Sequence, residues 1–286
     1  HFINWSTSSD MVIGAKTKTT FLMTTKSKHI VFAAKDLSIG YLKKKQTDII
    51  ASDINFSLAE GELIALAGTN GIGKSTLLRT ISGMQPALTG TLKIHDKDLV
   101  RYTALEQAHY ISVVLTEAPA SKHLTVIELV ALGRQPYTNW IGKLSEKDKR
   151  IITLALKSTD TETLSSKKCF ELSDGQLQRV YVARALAQDT PIIILDEPTT
   201  HLDLYHRAGI LKLLKNLATE TKKTILFSTH EVDLAIQLSD KMIVMTPHET
   251  YFDPIEDLIK AGRFDSLFPK ETIHFDRKTG RFSIKN

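Results

Sequence analysis

One nine-residue segment, GTNGIGKST at positions 68 to 76, constrains the fold of this chain more than any other. It has the spacing G-x-x-x-x-G-K-[S/T], follows an apolar run of strand length (ELIALAG, 62 to 68) and precedes a helical pattern. Glycine permits a tight turn whose successive backbone N–H groups point at an anion beside a helix N-terminus. A plain glycine-rich turn is the alternative, and the lysine, the hydroxyl and both flanking elements together favour a phosphate-binding loop.

Two side chains of this loop carry chemistry. The Lys74 ammonium is placed to reach the β- and γ-phosphates of a nucleoside triphosphate, and the Ser75 hydroxyl is placed to bind Mg²⁺. The candidate nucleotide-binding residues of the loop are Gly68, Asn70, Gly71, Gly73, Lys74, Ser75 and Thr76.

A second segment, IIILDEP at 192 to 198, ends an apolar strand in two carboxylates. Asp196 is placed to hold Mg²⁺ or its waters, and Glu197 to orient and deprotonate the water that attacks the γ-phosphate. A charged strand end before Pro198 also fits a surface turn, but its pairing with the phosphate-binding loop favours the catalytic interpretation. His230 follows a further predicted strand, and we expect it beside Glu197 because parallel sheets bind ligands at the carboxyl ends of their strands.

The order of the predicted elements indicates an α/β fold. Apolar runs of strand length at 62–68, 192–198, 224–229 and 241–245 alternate with helical patterns, of which AGILKLLKNLA at 208–218 is the clearest. This alternation is typical of a parallel sheet with crossover helices.

Two regions depart from simple alternation. Residues 28–60 contain turn-punctuated strands, which indicate an antiparallel edge piece before the first parallel strand. Residues 117–168 are mostly helical in pattern and rich in Lys, Glu and Thr. We therefore predict a P-loop NTPase core with a mostly parallel sheet, an antiparallel β edge subdomain and an inserted α-helical subdomain.

Composition sets broad limits on the class of protein. The 286 residues are 42% hydrophobic and carry a formal charge of +5, which suits an anionic ligand or a membrane surface without requiring either. The single cysteine, Cys169, excludes an internal disulfide and fits a reducing compartment. No run of about 18 apolar residues occurs, so we expect any membrane role to depend on a partner.

The segment LSDGQLQR, 172 to 179, admits two interpretations. Ser173 and Gln176 have the spacing of a capping box, in which each side chain bonds the backbone N–H of the other residue at a helix start. Taken by itself, the segment does not separate this structural role from a functional one.

Five motifs in order, GTNGIGKST, LSDGQ, ILDEP, THLD and STH, resemble the nucleotide-binding subunits of ABC transporters over roughly residues 28 to 250. The resemblance implies ATP as the nucleotide and hydrolysis only by a homodimer. It also implies that Ser173, Gly175 and Gln176 complete the ATP site of the opposing subunit, as a capped helix N-terminus binds an anion. Tyr41 matches the aromatic residue that stacks on adenine, with an edge-strand tyrosine as the alternative, and Asp203 matches the loop that crosses between subunits.

Two positions depart from the family pattern. Asp174 stands where glycine is usual, and its carboxylate suits a helix N-terminus but could repel a phosphate. Thr116, followed by Glu117, stands where a glutamine normally contacts Mg²⁺ and the attacking water. Thr116 is therefore a candidate catalytic and metal-binding residue whose side chain is shorter than that of the usual glutamine.

The block LTVIELVALGRQPYTNWIG, 124 to 142, resembles the branch of the family that imports iron-siderophores, haem or cobalamin. An ABC exporter ATPase is an alternative, because the core chemistry is the same. A non-transport ABC ATPase acting on nucleic acid is a further alternative, and the chain lacks the coiled coils or second cassette usual there. We expect no nucleic-acid partner.

The resemblance also implies an organisation and a location. We expect a leader at 1–27, an ATPase domain at 28–250 with a helical subdomain inserted at about 103–175, and a C-terminal appendage at 251–286. The implied partners are integral-membrane permease subunits, with a substrate-binding protein in the same system. The implied location is peripheral, at the cytoplasmic face of the inner or plasma membrane. In the appendage, RKTG predicts a hairpin turn.

Overall fold

A computed structural model describes residues 29–43, 46–115, 123–139, 142–268 and 273–284. The predicted leader and Thr116 therefore lie outside the described residues. The strands of the described part, numbered in chain order, are β1 (Ile30–Lys43), β2 (Gln46–Ala59), β3 (Leu63–Gly68), β4 (Thr89–Ile94), β5 (Lys97–Asp98), β6 (Ile111–Val114), β7 (Ile192–Leu195), β8 (Thr224–Thr229), β9 (Lys241–Met245), β10 (Thr250–Pro254), β11 (Ile273–Asp276) and β12 (Arg281–Ile284).

The helices alternate with these strands through most of the chain. They are α1 (Lys74–Ile81), α2 (Ala104–Ala108), α3 (Val126–Ala131), α4 (Glu146–Ser158), α5 (Asp174–Ala187), α6 (Leu204–Thr221), α7 (Val232–Leu238) and α8 (Ile255–Lys260). Among the residues described, no helix has both the length and the apolar composition needed to cross a bilayer.

The central sheet has the strand order β10-β9-β3-β8-β7-β6. Strands β9, β3, β8, β7 and β6 run parallel, and β10 is antiparallel at one edge. Strands β3 and β8 are buried along their whole length, and β3 is apolar throughout, as is typical of a parallel strand covered on both faces. The predicted parallel sheet is confirmed, and its order brings the carboxyl ends of β3, β8 and β7 side by side.

Alternate residues of the central strands pack into two hydrophobic cores on opposite faces of the sheet. In β3, Leu63 and Ala65 pack with residues of α5 and α6, whereas Ile64 and Leu66 pack with α1 and the antiparallel strands. The period of two along an extended strand produces this division. Both faces are therefore covered, as parallel sheets require.

The predicted antiparallel edge piece is confirmed as a four-stranded sheet of order β2-β1-β4-β5. Long strands β1 and β2 form a hairpin, and β4 pairs with the other side of β1. Their inward residues, including Leu37, Ile39 and Ile54, are fully buried in the core that also contains Leu77 and Ile81 of α1. This sheet thereby supports the helix that follows the phosphate-binding loop.

Helices α3, α4 and α5 lie between β6 and β7 in the chain, as the predicted helical insertion requires. A buried ion pair joins them: Arg134 Nε lies 2.8 Å from Asp148 Oδ1, and Arg134 Nη1 donates to the Ala187 carbonyl at 2.8 Å. Only 3% and 7% of the two side chains is exposed. A charge buried to this extent needs a partner, so the pair ties the segment before α4 to the end of α5.

The C-terminal residues pack against the body of the molecule. Strands β11 and β12 form the predicted hairpin, with Gly280 at φ 66° in its turn. Phe264 and Phe275 are buried in the same core as Ala235 of α7, and the Phe282 N–H donates to Asp233 Oδ1 at 3.3 Å. The appendage is thus fixed to α7, the helix that follows His230.

Candidate functional site

The phosphate-binding loop joins β3 to α1 through two glycines with left-handed backbone. Gly71 has φ 78° and Gly73, which caps α1, has φ 111°. A Cβ at Gly73 would lie 2.4 Å from Ile50 Cγ2, so both the backbone angle and the available space require glycine there. Asn70 is exposed in the turn of the loop, and Thr76 is buried in the first turn of the helix.

The Lys74 side chain lies across this loop. Its Nζ donates to the carbonyls of Gly68 at 2.9 Å and Thr69 at 3.2 Å, and the residue is 5% exposed. Burial lowers the pKa of the ammonium, and the carboxylates of Glu197 and Asp196 act in the opposite direction. The ammonium is therefore held inside the loop by two carbonyls, where a lysine can reach the terminal phosphates of a bound nucleotide.

Ser75 and Asp196 meet across 121 positions of sequence. Ser75 Oγ donates to Asp196 Oδ1 at 3.3 Å, which links the start of α1 to the end of β7. A serine hydroxyl and a carboxylate supply hard oxygen atoms, the ligand type that Mg²⁺ prefers beside substrate phosphates. The donor set therefore fits Mg²⁺.

Glu197 follows Asp196 with left-handed backbone, at φ 50°. One carboxylate oxygen, Oε1, lies 2.5 Å from His230 Nε2, and the other accepts from the Thr200 hydroxyl at 3.1 Å. The order of parallel strands brings His230 to Glu197, as the sequence led us to expect. A carboxylate with both oxygens held in this way has a fixed direction, which a general base requires.

Two residues of this site were missed by the sequence reasoning. Thr200 contacts the Glu197 carboxylate, and Ser228 is fully buried on β8. The Ser228 hydroxyl donates to Asp196 Oδ1 at 2.7 Å and accepts from the Glu197 N–H at 2.8 Å. Ser228 stands two positions before His230 along the extended segment TILFST, and this spacing was the available signal for its place near the carboxylates.

Tyr41 lies beside the phosphate-binding loop, near the end of β1. Its hydroxyl is 3.2 Å from Thr76 Oγ1, and the residue is 46% exposed. An exposed aromatic ring anchored at its hydroxyl offers a face for stacking.

The turn at LSDGQ caps α5, as predicted. Ser173 Oγ accepts from the Gln176 N–H at 3.3 Å, and the Ser173 N–H donates to Gln176 Oε1 at 3.1 Å. Asp174 is exposed as the first helical residue. A Cβ at Gly175 would lie 2.8 Å from His206 Cδ2, so a side chain there would require the His206 ring on α6 of the same chain to move.

A cavity of about 180 Å³ separates the first turns of α5 from the carboxylates that follow β7. Its lining includes Asp174 and Leu177 on one side and Asp196 and Glu197 on the other. Leu115, at the end of β6, also lines it. The candidate residue that comes next in the chain, Thr116, lies outside the described residues.

Asp203 caps α6 and stays close to its own helix. Its carboxylate accepts from the His206 N–H at 2.8 Å and contacts His206 Nδ1 at 2.8 Å. The hydrogen bond from the His206 backbone is the main reason that the pKa of Asp203 is lowered. Four residues on, Arg207 donates to the Leu202 carbonyl at 2.6 Å and pairs with Glu231, the neighbour of His230.

Comparison with known proteins is consistent with this geometry. The family described as ABC transporter matches residues 51–200. An uncharacterized ABC transporter ATP-binding protein of Methanocaldococcus jannaschii is 35% identical over 253 residues, which cover 88% of this chain and 86% of that protein. The iron(3+)-hydroxamate import ATP-binding protein of Bacillus subtilis is 37% identical, over 74% of this chain and 78% of that protein. The achromobactin transport ATP-binding protein of Dickeya dadantii is 36% identical, over 74% and 77%.

Solved structures agree with the sequence relatives. An inward-facing ABC transporter of metal-chelate type is 26% identical, with a TM-score of 0.72 over 84% of this chain and 89% of that chain. A dimeric ATP-binding cassette in a post-hydrolysis state, bound to ADP and Pi, is 28% identical, with a TM-score of 0.66 over 78% and 98%. The phosphate-binding loop, the paired carboxylates and the capped turn at 173 occur here in one α/β fold with the same architecture. The chain belongs to the ABC transporter family, as an ATP-binding subunit that hydrolyses ATP.

Proposed function

We propose that this chain powers an ABC importer for iron-siderophores, haem or cobalamin, as a homodimer that closes around two ATP molecules. The proposal that the chain hydrolyses ATP rests on the position of the Glu197 carboxylate. His230 and Thr200 hold this carboxylate, and the contact of Ser75 with Asp196 lies next to it. The importer part rests on relatives named for achromobactin transport, iron(3+)-hydroxamate import and cobalamin import.

The roles of the residues follow from where their polar groups lie. Lys74 and the N–H groups of the loop bind the β- and γ-phosphates, and Ser75 and Asp196 hold Mg²⁺, which when bound neutralises charge on the phosphate oxygens. Glu197 accepts a proton from water as the water oxygen bonds to the γ-phosphorus, and the bond from that phosphorus to the β–γ bridging oxygen breaks. His230 fixes the direction of the Glu197 carboxylate and lies on the side of the site where the γ-phosphate binds.

The proposal assigns the turn at 173 to the ATP of the partner subunit. Ser173 is exposed at the N-terminus of α5, where the N–H of Gly175 and the side chain of Gln176 also lie. A capped helix N-terminus stabilises an anion, so a γ-phosphate presented by a second copy has a binding site there. Support comes from the solved dimeric cassettes, which are 28% identical to this chain.

Exposed residues next to Asp203 support the same dimer. Leu204 and Tyr205 are 68% and 83% exposed at the start of α6. Burial of such side chains favours association. Closure of the dimer is favoured by charge-assisted contacts of each γ-phosphate with both subunits, and hydrolysis removes those contacts.

The proposed membrane partner is a pair of permease subunits, served by a substrate-binding protein. A groove of about 390 Å³ runs between the end of α1, α2 and the entrance to β6. Met84, which lines it, is 54% exposed, and Gln107 and Val113 line it as well. Because β6 leads directly to the cavity beside Glu197, a permease segment seated in this groove has a short route to the catalytic site. We therefore propose a peripheral location for the chain, at the cytoplasmic face of the inner or plasma membrane.

The remaining assignments belong to the same proposal. Tyr41 stacks on adenine. Thr116 takes the place of the glutamine that usually contacts Mg²⁺ and the attacking water, and it makes one hydrogen bond there. The chain divides into an ATPase domain at 28–250, a helical subdomain inserted at about 103–175, and an appendage from 251.

Two variants test the site. Lys74→Ala should lose ATP binding, whereas Glu197→Gln should keep it and lose hydrolysis, because only the base is removed. Fluorescent-nucleotide titration and phosphate release measure these two properties. Retained hydrolysis in Glu197→Gln, with nucleotide affinity unchanged, would refute the assignment of the base.

Uptake assays test the direction of transport and the class of substrate. Cells that carry Glu197→Gln in place of the native chain should accumulate less labelled ferric siderophore, haem or cobalamin than native cells. Unchanged uptake of all three, with reduced release of a preloaded compound, would favour the exporter alternative instead.

A further inference from the structure

The catalytic carboxylate depends on an unusual backbone conformation. Glu197 is at φ 50°, in the left-handed region that residues with a Cβ adopt rarely and at an energetic cost. Such a conformation persists only where the surrounding structure fixes it. The direction of the Glu197 side chain is therefore set partly by whatever holds its backbone.

Ser228 supplies that contact. Its hydroxyl accepts from the Glu197 N–H at 2.8 Å and donates its single hydrogen to Asp196 Oδ1 at 2.7 Å. The residue is 0% exposed, so water cannot substitute for either bond. A hydroxyl is suited to this position because it donates and accepts at the same time, which neither an ammonium group nor a carboxylate does.

The same strand reaches Glu197 at two points. Ser228 holds the backbone N–H, and His230, two residues later, holds the carboxylate at 2.5 Å. Strand β8 also pairs directly with β7 through Leu195 and Phe227, immediately before these contacts. The two carboxylate residues at the end of β7 are thus fixed by β8 through a hydroxyl, an imidazole and the sheet.

We propose that Ser228 is a positioning residue for ATP hydrolysis, which sets the direction of Glu197 and orients Asp196 at the same time. The inference rests on the proposed role of Glu197 as the base. Ser228 itself touches neither ATP nor water in this mechanism. Its loss should therefore affect turnover and leave nucleotide affinity, which depends on the loop at 68–76, nearly unchanged.

The test compares Ser228→Ala with a control on the same strand. Thr224 is also 0% exposed, and its hydroxyl donates to the Ala59 carbonyl at 2.8 Å, at the end of β8 away from the carboxylates. Thr224→Val removes a buried hydrogen bond without a change of shape. Both variants should unfold at a lower temperature than the native chain.

Their kinetics should differ. Ser228→Ala should lower kcat about 10- to 100-fold, the scale expected when a reacting group is misplaced, while KM and the ATP dissociation constant stay within about 3-fold. Thr224→Val should keep native kcat. A kcat above half the native value in Ser228→Ala, or a loss of ATP affinity equal to its loss of turnover, would overturn the inference.

A second variant covers the case in which Ser228→Ala does not fold. Ser228→Cys fills similar space with a weaker hydrogen-bonding group and carries the same expectation, so native kcat there also overturns the inference. Glu197→Gln, assayed alongside, tests the role of Glu197 as the base separately from the role of Ser228. If it hydrolyses ATP at the native rate, the proposed base is wrong; if it is inactive while the Ser228 variants are fully active, only the role of Ser228 is wrong.

Discussion

His230 Nε2 lies 2.5 Å from Glu197 Oε1, although the two residues follow different strands and are 33 positions apart. The contact exists because β7 and β8 are parallel neighbours that end at the same edge of the sheet. The imidazole therefore fixes one oxygen of the carboxylate that we propose as the general base. Several consequences of this site and of the surrounding packing can be measured.

Removal of the imidazole should reduce turnover more than binding. We expect His230→Ala to lower kcat about 10- to 100-fold with little change in the ATP dissociation constant, because the residue orients the base and does not hold the loop. His248→Ala, at an exposed turn before β10, is the matched control and should leave both values unchanged. Equal effects of the two substitutions would contradict the assigned role of His230.

A Cβ at position 73 should prevent the loop from forming. Gly73→Ala combines a left-handed φ of 111° with a 2.4 Å approach to Ile50 Cγ2, and should cost about 2–4 kcal/mol of unfolding free energy and abolish ATP binding. Gly142→Ala is the comparison, since Gly142 has φ 73° and nothing lies within 4 Å of its added Cβ. It should cost only about 1 kcal/mol. Urea unfolding and nucleotide titration measure both effects.

The buried pair of Arg134 and Asp148 should be required for the helical insertion to fold stably. Arg134→Met or Asp148→Leu alone should destabilise the chain by about 3–5 kcal/mol, because each leaves a buried charge without its partner. The double variant should be less destabilised than the sum of the two. Lys149→Ala removes an exposed pair with Glu146, whose side chains are 60% and 76% exposed, and should cost at most about 1 kcal/mol. Additive effects at 134 and 148 would show that the pair is not coupled.

ATP affinity should fall at alkaline pH earlier than an ordinary lysine would allow. Burial lowers the pKa of Lys74, so its charge is lost as pH rises through a range below the usual titration of a lysine. The charged form is the one that binds phosphate, and affinity therefore decreases with rising pH. Lys74→Arg, whose guanidinium does not titrate in this range, should show weaker binding with a flat pH profile. An alkaline decline of the same size in Lys74→Arg would assign the titration to another group.

The framework of the site could be predicted from the sequence, because local spacing and the order of the strands specify it. The spacing from Gly68 to Ser75 specifies a turn and a helix start, and the order of apolar strands places His230 near Glu197. Strand bounds were also accurate for a strand that is buried along its whole length, as in β8.

Contacts that depend on side-chain direction could not be predicted in the same way. Ser228 and Thr200 contact Glu197, whose backbone is left-handed. A residue other than glycine rarely adopts this conformation, so the sequence does not predict it. The packing of Gly175 on His206, and the hydrogen bond from the Phe282 N–H to Asp233 of α7, join segments that are distant in sequence. Periodicity does not identify such partners.

The central claim is that two copies of this chain share each ATP site, and the rate of hydrolysis against protein concentration tests it most directly. If the site is shared, the rate should rise more steeply than linearly with protein concentration. Glu197→Gln should abolish hydrolysis, and ATP should then trap a stable dimer of this variant. Hydrolysis strictly proportional to concentration, by a chain that remains monomeric with ATP bound, would contradict the shared site.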